Sequence, residues 1–313
     1  MGEGILGHQG SSGRGFLSNE KELIHSLLER FIQNHPHEYA KELQGISRVL
    51  NMNVGDVTLL NMYFDTFFFG THIMVEDTEG RIFHGRNLDV NSKTSIRDLT
   101  IDVEFVKKGK IAYTGTTFVG YVGLWTGQSP YKFTISGNAR GHMNWLDYLT
   151  SFLAKGFPDS WLIRDTLSEA NHFINAYVKL TKTPLLNNAY FMLAGTRDGV
   201  VITRDKFKTI FVSYLDPFKK PWYLVQTQCD SYSKSCRTYP RRAATTKALI
   251  AIKKGQKKLS TSNMHKILTS FPVFNESTVY TTIMTAEYPH LYQTWIKSKD
   301  HHDSESDVVH GEE

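Results

Sequence analysis

The chain has 313 residues, 40% of them hydrophobic and 21% charged, with a net charge of +5. That length suits one large domain or two small ones with a sizeable core, and the mild, dispersed positive charge does not call for nucleic acid as a partner. Two cysteines, Cys229 and Cys236, exclude a dense disulfide framework; they form one bridge in an oxidising compartment or stand as two free thiols. Four zinc ligands at recognised spacing are absent, so neither metal nor cofactor is expected, and no run of about 18 apolar residues predicts a transmembrane helix.

Residues 1–18 are rich in glycine and serine and read as a flexible tail. They lack the apolar core of a signal peptide, and Leu6 stands where a myristoylation signal carries Ser or Thr. Taken literally, this start predicts a cytosolic chain; a leader lost from the sequence predicts a secretory one. From Asn19 the pattern turns helical, with Leu23, Ile24, Leu27, Leu28 and Phe31 at three- and four-residue spacing. His35-Pro36 breaks it. A second helix is predicted over 37–50, with Leu43, Ile46 and Leu50 on one face, and a third is predicted to start at an Asp56 cap and run to Asp65. These amphipathic helices either pack on a sheet or touch a membrane surface.

After Gly70 the texture becomes that of strands. Thr71–Glu76 and Arg81–His84 read as a hairpin, as do Ile101–Val106 and Ile111–Thr114. Phe118–Thr126 and Lys132–Ser136 are further strands; 145–153, 159–168 and 170–180 are helical. Strands return at 189–195, 199–204, 209–214, 222–227 and 278–283, with helices at 241–254 and 262–269. The tail 298–313 is polar and expected to be disordered. Strands grouped around helices predict an α+β fold.

Two segments carry chemistry: Thr66-Phe67-Phe68-Phe69-Gly70-Thr71-His72, which leads into Val75-Glu76-Asp77 and His84-Gly85-Arg86-Asn87-Leu88-Asp89, and the glycine-rich run from Thr114 to Pro130. The run lacks the Lys-Ser/Thr ending of a phosphate loop. With Val200–Arg204 and Thr278–Thr282 these segments resemble, over residues 40–297, the acid amidases of the N-acylethanolamine acid amidase and acid ceramidase family. These are N-terminal-nucleophile enzymes that act on fatty-acid amides in the lysosome.

The resemblance implies an αββα sandwich, divided into an α-subunit-like helical segment at 19–69 and a β-subunit-like domain at 70–297. It also implies a mechanism: a cysteine cuts the chain before itself, and its freed amine then serves as base. Here that position is Gly70, which has no reacting atom. Arg86 and Asp89 match the family's arginine and aspartate; a plain supporting ion pair between them is the alternative reading. Ala139 stands where the family has a glutamate near the substrate. Gln228 stands at the asparagine that steadies the oxyanion, and a misplaced donor there costs roughly 100–1,000-fold in rate.

Tyr121 and Trp125 line an acyl pocket by resemblance, or are ordinary core aromatics. An impaired hydrolase follows, one that keeps a site for fatty-acid amides. The alternative is an active enzyme in which Thr71 becomes the N-terminal nucleophile after self-cleavage at Gly70–Thr71, although neighbouring strand residues face opposite sides. Cys229 is a weaker substitute nucleophile, without a terminal amine.

Phe67-Phe68-Phe69 is read as a buried segment, with a lipid-facing role as its alternative. The basic turn at 253–258 reads as a solvated loop, and Asn275-Glu276-Ser277 is a glycosylation sequon with meaning only in a secretory chain.

Overall fold

The computed structural model describes residues 24–30, 32, 38–90, 96–141, 147, 151, 156–215, 222–237, 239–254 and 259–297. The tails at 1–18 and 298–313 lie outside these. So do the break at His35-Pro36, most of the helix expected over 145–153 (residues 147 and 151 are both helical) and most of the basic turn.

Three helices come first: α1 (24–30), α2 (Glu38–Leu50) and α3 (Val54–Asp65). Leu28, Tyr39, Ala40, Leu43 and Val57 bury together against Val122 and Trp161. Leu50, expected on this face, is exposed, because the helix ends there and runs past its partners. The cap of α3 is Asn53, whose Oδ1 accepts from the Gly55 amide at 2.6 Å. Asp56 sits in the first turn instead, near the positive end of the helix dipole and 3.2 Å from His25.

Among the described residues, twelve strands form two antiparallel sheets. The five-stranded sheet has the order β10-β1-β2-β11-β12, with β1 at Phe68–Glu76, β2 at Ile82–Val90, β10 at Tyr223–Gln226, β11 at Thr278–Met284 and β12 at Gln293–Ile296. The seven-stranded sheet runs β3 to β9 in chain order: Thr100–Lys107, Lys110–Phe118, Thr126–Ser129, Phe133–Ala139, Ala189–Ala194, Gly199–Arg204 and Thr209–Tyr214. Helices α4 (Asp159–Glu169) and α5 (Phe173–Lys182) cover the outer face of the larger sheet. After the short α6 (Lys234–Arg237), α7 (Pro240–Lys254) and α8 (Thr261–Leu268) cover the smaller one. This is the expected α+β sandwich in αββα order.

Two expected elements shift for local reasons. The strand expected over 118–126 is interrupted: β4 ends at Phe118, and a turn with Gly120 at φ +82° and a Tyr121 N–H bond to the Phe118 carbonyl delays pairing until Thr126. The helix expected from 170 begins at Phe173, because Ala170 is extended and closes α4.

The space between the sheets is apolar at both ends and polar in the middle. Phe68, Leu88, Tyr121 and Trp125 fill one end, and Met74, Ile82, Met192 and Val201 the other. In the strip between them lie His72, His84, Arg86, Ser136 and Asn138, each no more than 1% exposed.

Candidate active site

Residue 70 lies inside β1, paired with Leu88 of β2. Its φ is +144°, and a Cβ built on it would sit 1.9 Å from the Asn87 carbonyl oxygen. The backbone therefore takes a path that glycine alone follows without strain. Two amide carbonyls flank it. The Gly70 oxygen accepts from Asn138 Nδ2 at 3.0 Å, and the Phe69 oxygen accepts a long 3.5 Å bond from Arg86.

Arg86 and Asp89 are three residues apart, so strand alternation sends them to opposite faces of β2. They form no ion pair, contrary to that reading of the motif. Arg86 turns into the space between the sheets. Its Nη1 donates to the Trp125 carbonyl and to Thr126 Oγ1, both at 2.6 Å, and its Nη2 to Asn138 Oδ1 at 3.3 Å. The Tyr280 ring lies 5.9 Å below it, near enough for a cation–π contact. Burial lowers the guanidinium pKa. Asp89 turns to the helical side, bridges to Arg241 of α7 and accepts from Thr278 Oγ1 at 2.8 Å. Burial raises its pKa, and Arg241 opposes that shift.

Thr71 shares the helical-side face with Asn87, whose amide is spent on the Leu268 and Val273 carbonyls and on Thr281. The Thr71 hydroxyl is fully buried and has no hydrogen-bond partner. Ala139 lies on the face of β6 that Ile135 and Gly137 turn toward α4, away from the face where Asn138 reaches Gly70.

Gln228 follows β10. Continuing the β1–β10 register by two residues sets it opposite Gly70, but its Oε1 accepts from the Tyr239 hydroxyl at 3.1 Å. The neighbouring cysteines are joined, so Cys229 offers no free thiol and is removed as a substitute nucleophile. This loop is held to the end of β6 by Arg140, which grips Asp230 with two bonds of 2.7 and 2.9 Å. Together with Tyr190 and Tyr232, that grip lowers the Asp230 pKa to about 2.

Tyr121 and Trp125 stand in the core beside Phe68; Phe68 and Phe69 are buried, as read for that segment, while Phe67 is half-buried. The Tyr121 hydroxyl bonds Asp65 at the end of α3, and Trp125 Nε1 donates to the Tyr121 oxygen at 2.9 Å. Ser160 adds a 3.1 Å bond to the same carboxylate. These polar tips tie the first helices to the sandwich.

Sequence reasoning missed a chain of hydrogen bonds next to Gly70. His72 Nδ1 lies 2.5 Å from Ser136 Oγ, His84 Nε2 lies 2.7 Å from the same oxygen, and His84 Nδ1 lies 2.8 Å from Thr134 Oγ1. Desolvation first, and Arg86 second, push both imidazoles well below their ordinary pKa, His84 to about 3. His72 and His84 are therefore neutral. The missing signal was one of face: His72, His84, Ser136 and Asn138 all occupy the inward register of strands buried on both sides. Among the described residues, no group of three or more His, Cys, Asp or Glu side chains is placed to hold a metal ion, and no helix is long and apolar enough to cross a membrane.

The layering, with the strand carrying residue 70 against the second sheet, defines an N-terminal-nucleophile-hydrolase-like fold. Residues 70–214 match the family of linear amide C–N hydrolases of the choloylglycine hydrolase type. The chain is 43% identical over 274 residues to the N-acylethanolamine-hydrolyzing acid amidase of Oryctolagus cuniculus, covering 87% of this chain and 75% of that one. It is 30% identical to the acid ceramidase of Homo sapiens, covering 84% of this chain and 71% of that one. The solved structure of the Caenorhabditis elegans N-acylethanolamine-hydrolyzing acid amidase ortholog superposes with a TM-score of 0.64 at 31% identity, over 73% of this chain and all of that one. This chain belongs to the family of N-acylethanolamine acid amidases and acid ceramidases.

Proposed function

We propose that this protein is a catalytically silent acid amidase homologue that binds lipid amides of the class its relatives hydrolyse and does not cut them. The observation that carries the reading is Gly70. No nucleophilic atom is present there, and the backbone has settled where even a Cβ would strike the Asn87 carbonyl. Loss of a nucleophile is not made good by the remaining members of a catalytic unit. Ala139 and Gln228 compound the loss: Ala139 has no carboxylate, and Gln228 carries its amide one methylene further out than asparagine, with Oε1 engaged by the Tyr239 hydroxyl. In this reading Arg86 and Asn138 orient amide carbonyls, and Asp89 supports the strand through Arg241. Tyr121 and Trp125 form the wall behind an acyl chain. The disulfide between Cys229 and Cys236 supports a secretory or lysosomal route, as does the acid in the names of the relatives.

The test is intact-mass analysis of the purified chain before and after acid incubation, paired with an assay of N-acylethanolamine hydrolysis and a binding titration with the same lipid. A single uncut mass, no turnover and measurable binding are expected. Turnover overturns the silent reading, and absence of binding overturns the retained site.

One observation favours a second reading. The Gly70 carbonyl is held by Asn138, and the unpartnered hydroxyl of Thr71 follows it directly. Self-cleavage there would leave Thr71 as an N-terminal nucleophile. Against this, Thr71 faces the helical layer with Asn87, away from Arg86, Asn138 and His72. Two fragments meeting at Gly70–Thr71 would establish this route.

A further inference from the structure

The turn from α8 into β11 carries a sequence with a chemistry of its own. Asn275-Glu276-Ser277 is the one Asn-X-Ser/Thr triplet in the 313 residues, and its middle residue is not proline. Val273 before it and Thr278 after it are buried, Asn275 and Ser277 are half-buried, and Glu276 is exposed. The triplet therefore reaches the surface between two anchored ends, as an acceptor for a bulky group must.

The backbone here is fastened independently of the asparagine amide. Val90 donates its N–H to the Ser277 carbonyl at 2.9 Å, and Thr278 closes the turn on the Asn275 carbonyl at 3.0 Å. Arg97 donates to the carbonyls of Glu276 and Thr278 at 2.5 and 3.2 Å, and Lys297 Nζ reaches the Asn275 carbonyl at 3.1 Å. Within the side chain, Oδ1 is turned to the chain, where it accepts the Ser277 N–H at 3.0 Å.

That leaves Nδ2 with its two protons. It makes a long bond of 3.4 Å to the Val273 carbonyl. It also approaches Asp89: burial raises that carboxyl's pKa, Arg241 opposes the shift first, and the Asn275 amide adds a smaller push the same way. A sugar replaces only one of the two protons. The other still serves one of these contacts, so the folded turn gives up a weak bond at most.

We propose that Asn275 is a glycosylation site and carries an N-linked oligosaccharide. The transfer forms a bond from Nδ2 to the anomeric carbon of the first sugar. It breaks the bond from that carbon to the pyrophosphate of a lipid-linked oligosaccharide, which leaves with the electron pair, and Nδ2 loses one proton. Ser277 supplies the hydroxyl that the acceptor sequence requires two residues on. The inference rests on the secretory route proposed above, which the Cys229–Cys236 disulfide supports, and not on the reading of Gly70.

The experiment fuses a cleavable secretory leader to the full chain, expresses it in mammalian cells and compares its intact mass before and after peptide-N-glycosidase treatment. Entry is then supplied, and only the acceptor is tested. The Cys229–Cys236 bond, read from the same masses, reports arrival in an oxidising compartment. One occupied site is expected, and enzymatic release should leave aspartate at position 275 in the peptide map. Ser277→Thr should keep the sugar, whereas Asn275→Gln and Ser277→Ala should each lose it. Ser277 joins the turn through its backbone, so Ser277→Ala should also keep the parent's denaturation midpoint once both chains are stripped of sugar. A disulfide-bonded fused chain whose mass does not change on treatment would overturn the proposal. So would a sugar that persists in Asn275→Gln. Protein isolated from the cells that naturally make it separates the acceptor from the route. A modified Asn275 there supports both. An unmodified Asn275 there, beside a glycosylated fused chain, overturns the secretory reading and the natural occupancy together.

Discussion

The two faces of the β1–β2 hairpin have opposite characters. Toward the second sheet it presents His72, His84 and Arg86, a polar strip sealed between apolar ends. Toward α7 and α8 it presents Ile73, Val75 and Phe83 among Leu249, Met264 and Leu268. On the helical face, polar groups are isolated exceptions: Asn87 is fastened to two loop carbonyls and Asp89 to Arg241, while the Thr71 hydroxyl has no partner. On the inner face they form a continuous set, and each member would be costly to leave unpaired. An arginine in this strip is therefore no evidence of catalysis by itself. A buried polar strip has to be satisfied whether or not it does chemistry, and Arg86, Asn138, Ser136 and the two imidazoles bond one another or the backbone beside them for that reason.

The sharpest way to break this comparison is to remove Arg86. Arg86→Met would strand the Trp125 carbonyl, Thr126 and Asn138 without their donor. The expected loss is about 3–5 kcal/mol in chemical denaturation, from several buried acceptors at roughly 1–3 kcal/mol each. A purely catalytic arginine would leave the denaturation midpoint where it was, and that result would return Arg86 to the chemistry.

Gly70 comes next. Gly70→Ala places a Cβ against the Asn87 carbonyl at φ +144°, and the combined strain and overpacking are expected to cost about 2–4 kcal/mol. Gly70→Cys carries the same steric burden, so restoring the sulfur alone is expected to restore neither cleavage nor amide hydrolysis. A Gly70→Cys chain as stable as its parent, cut before residue 70 and active, would show that the backbone there resets freely.

The inner strip should also betray itself in acid. His84 has its pKa depressed to about 3 in the folded chain, against about 6.5 when unfolded. The unfolded state therefore binds its proton first. Stability from this group is complete above the unfolded value and falls as pH drops from about 6.5 toward 3, by about 2 kcal/mol at pH 5. Asp89 and Asp159 act the other way, because burial raises their pKa values and the folded state holds their protons more tightly. Comparing the parent with His84→Gln isolates the imidazole: the stability difference between them should shift by about 2 kcal/mol between pH 7 and pH 5. Parallel curves would mean that the strip opens to solvent.

Much of this architecture was legible in the sequence, and the gaps have physical causes. The β1–β2 hairpin, the β7–β8 pair and β11 could be read because apolar and β-branched residues run between clear turns. β12, with the sequence Gln-Thr-Trp-Ile, could not, because four residues on a sheet edge carry little pattern and owe their pairing to β11. At the site, the strand expected at Arg81–His84 runs on to Val90 and so carries Arg86 and Asp89, and the resemblance that picked out both residues could not tell which face each took. They also directed attention to Ala139, when Asn138, one residue earlier, is the side chain that reaches Gly70. His72 and Ser136 went unnoticed because a polar residue inside a strand reads as solvent-facing until a second sheet is known to cover it.

The smallest expected effect bears on the helical face. Thr71→Val keeps the side-chain shape and removes a buried hydroxyl that has no partner. Deleting an unsatisfied polar atom relieves a desolvation cost instead of breaking a bond, so stability should hold or rise by up to about 1 kcal/mol. The chain's mass should be unaffected, since a residue turned toward Asn87 and α8 has no role in cutting the strand. If the parent instead separates into two fragments at Gly70–Thr71 in acid and Thr71→Val does not, the hydroxyl must have turned through the strand to reach the carbonyl. The distinction between the two faces would then fail at the one residue where it matters most.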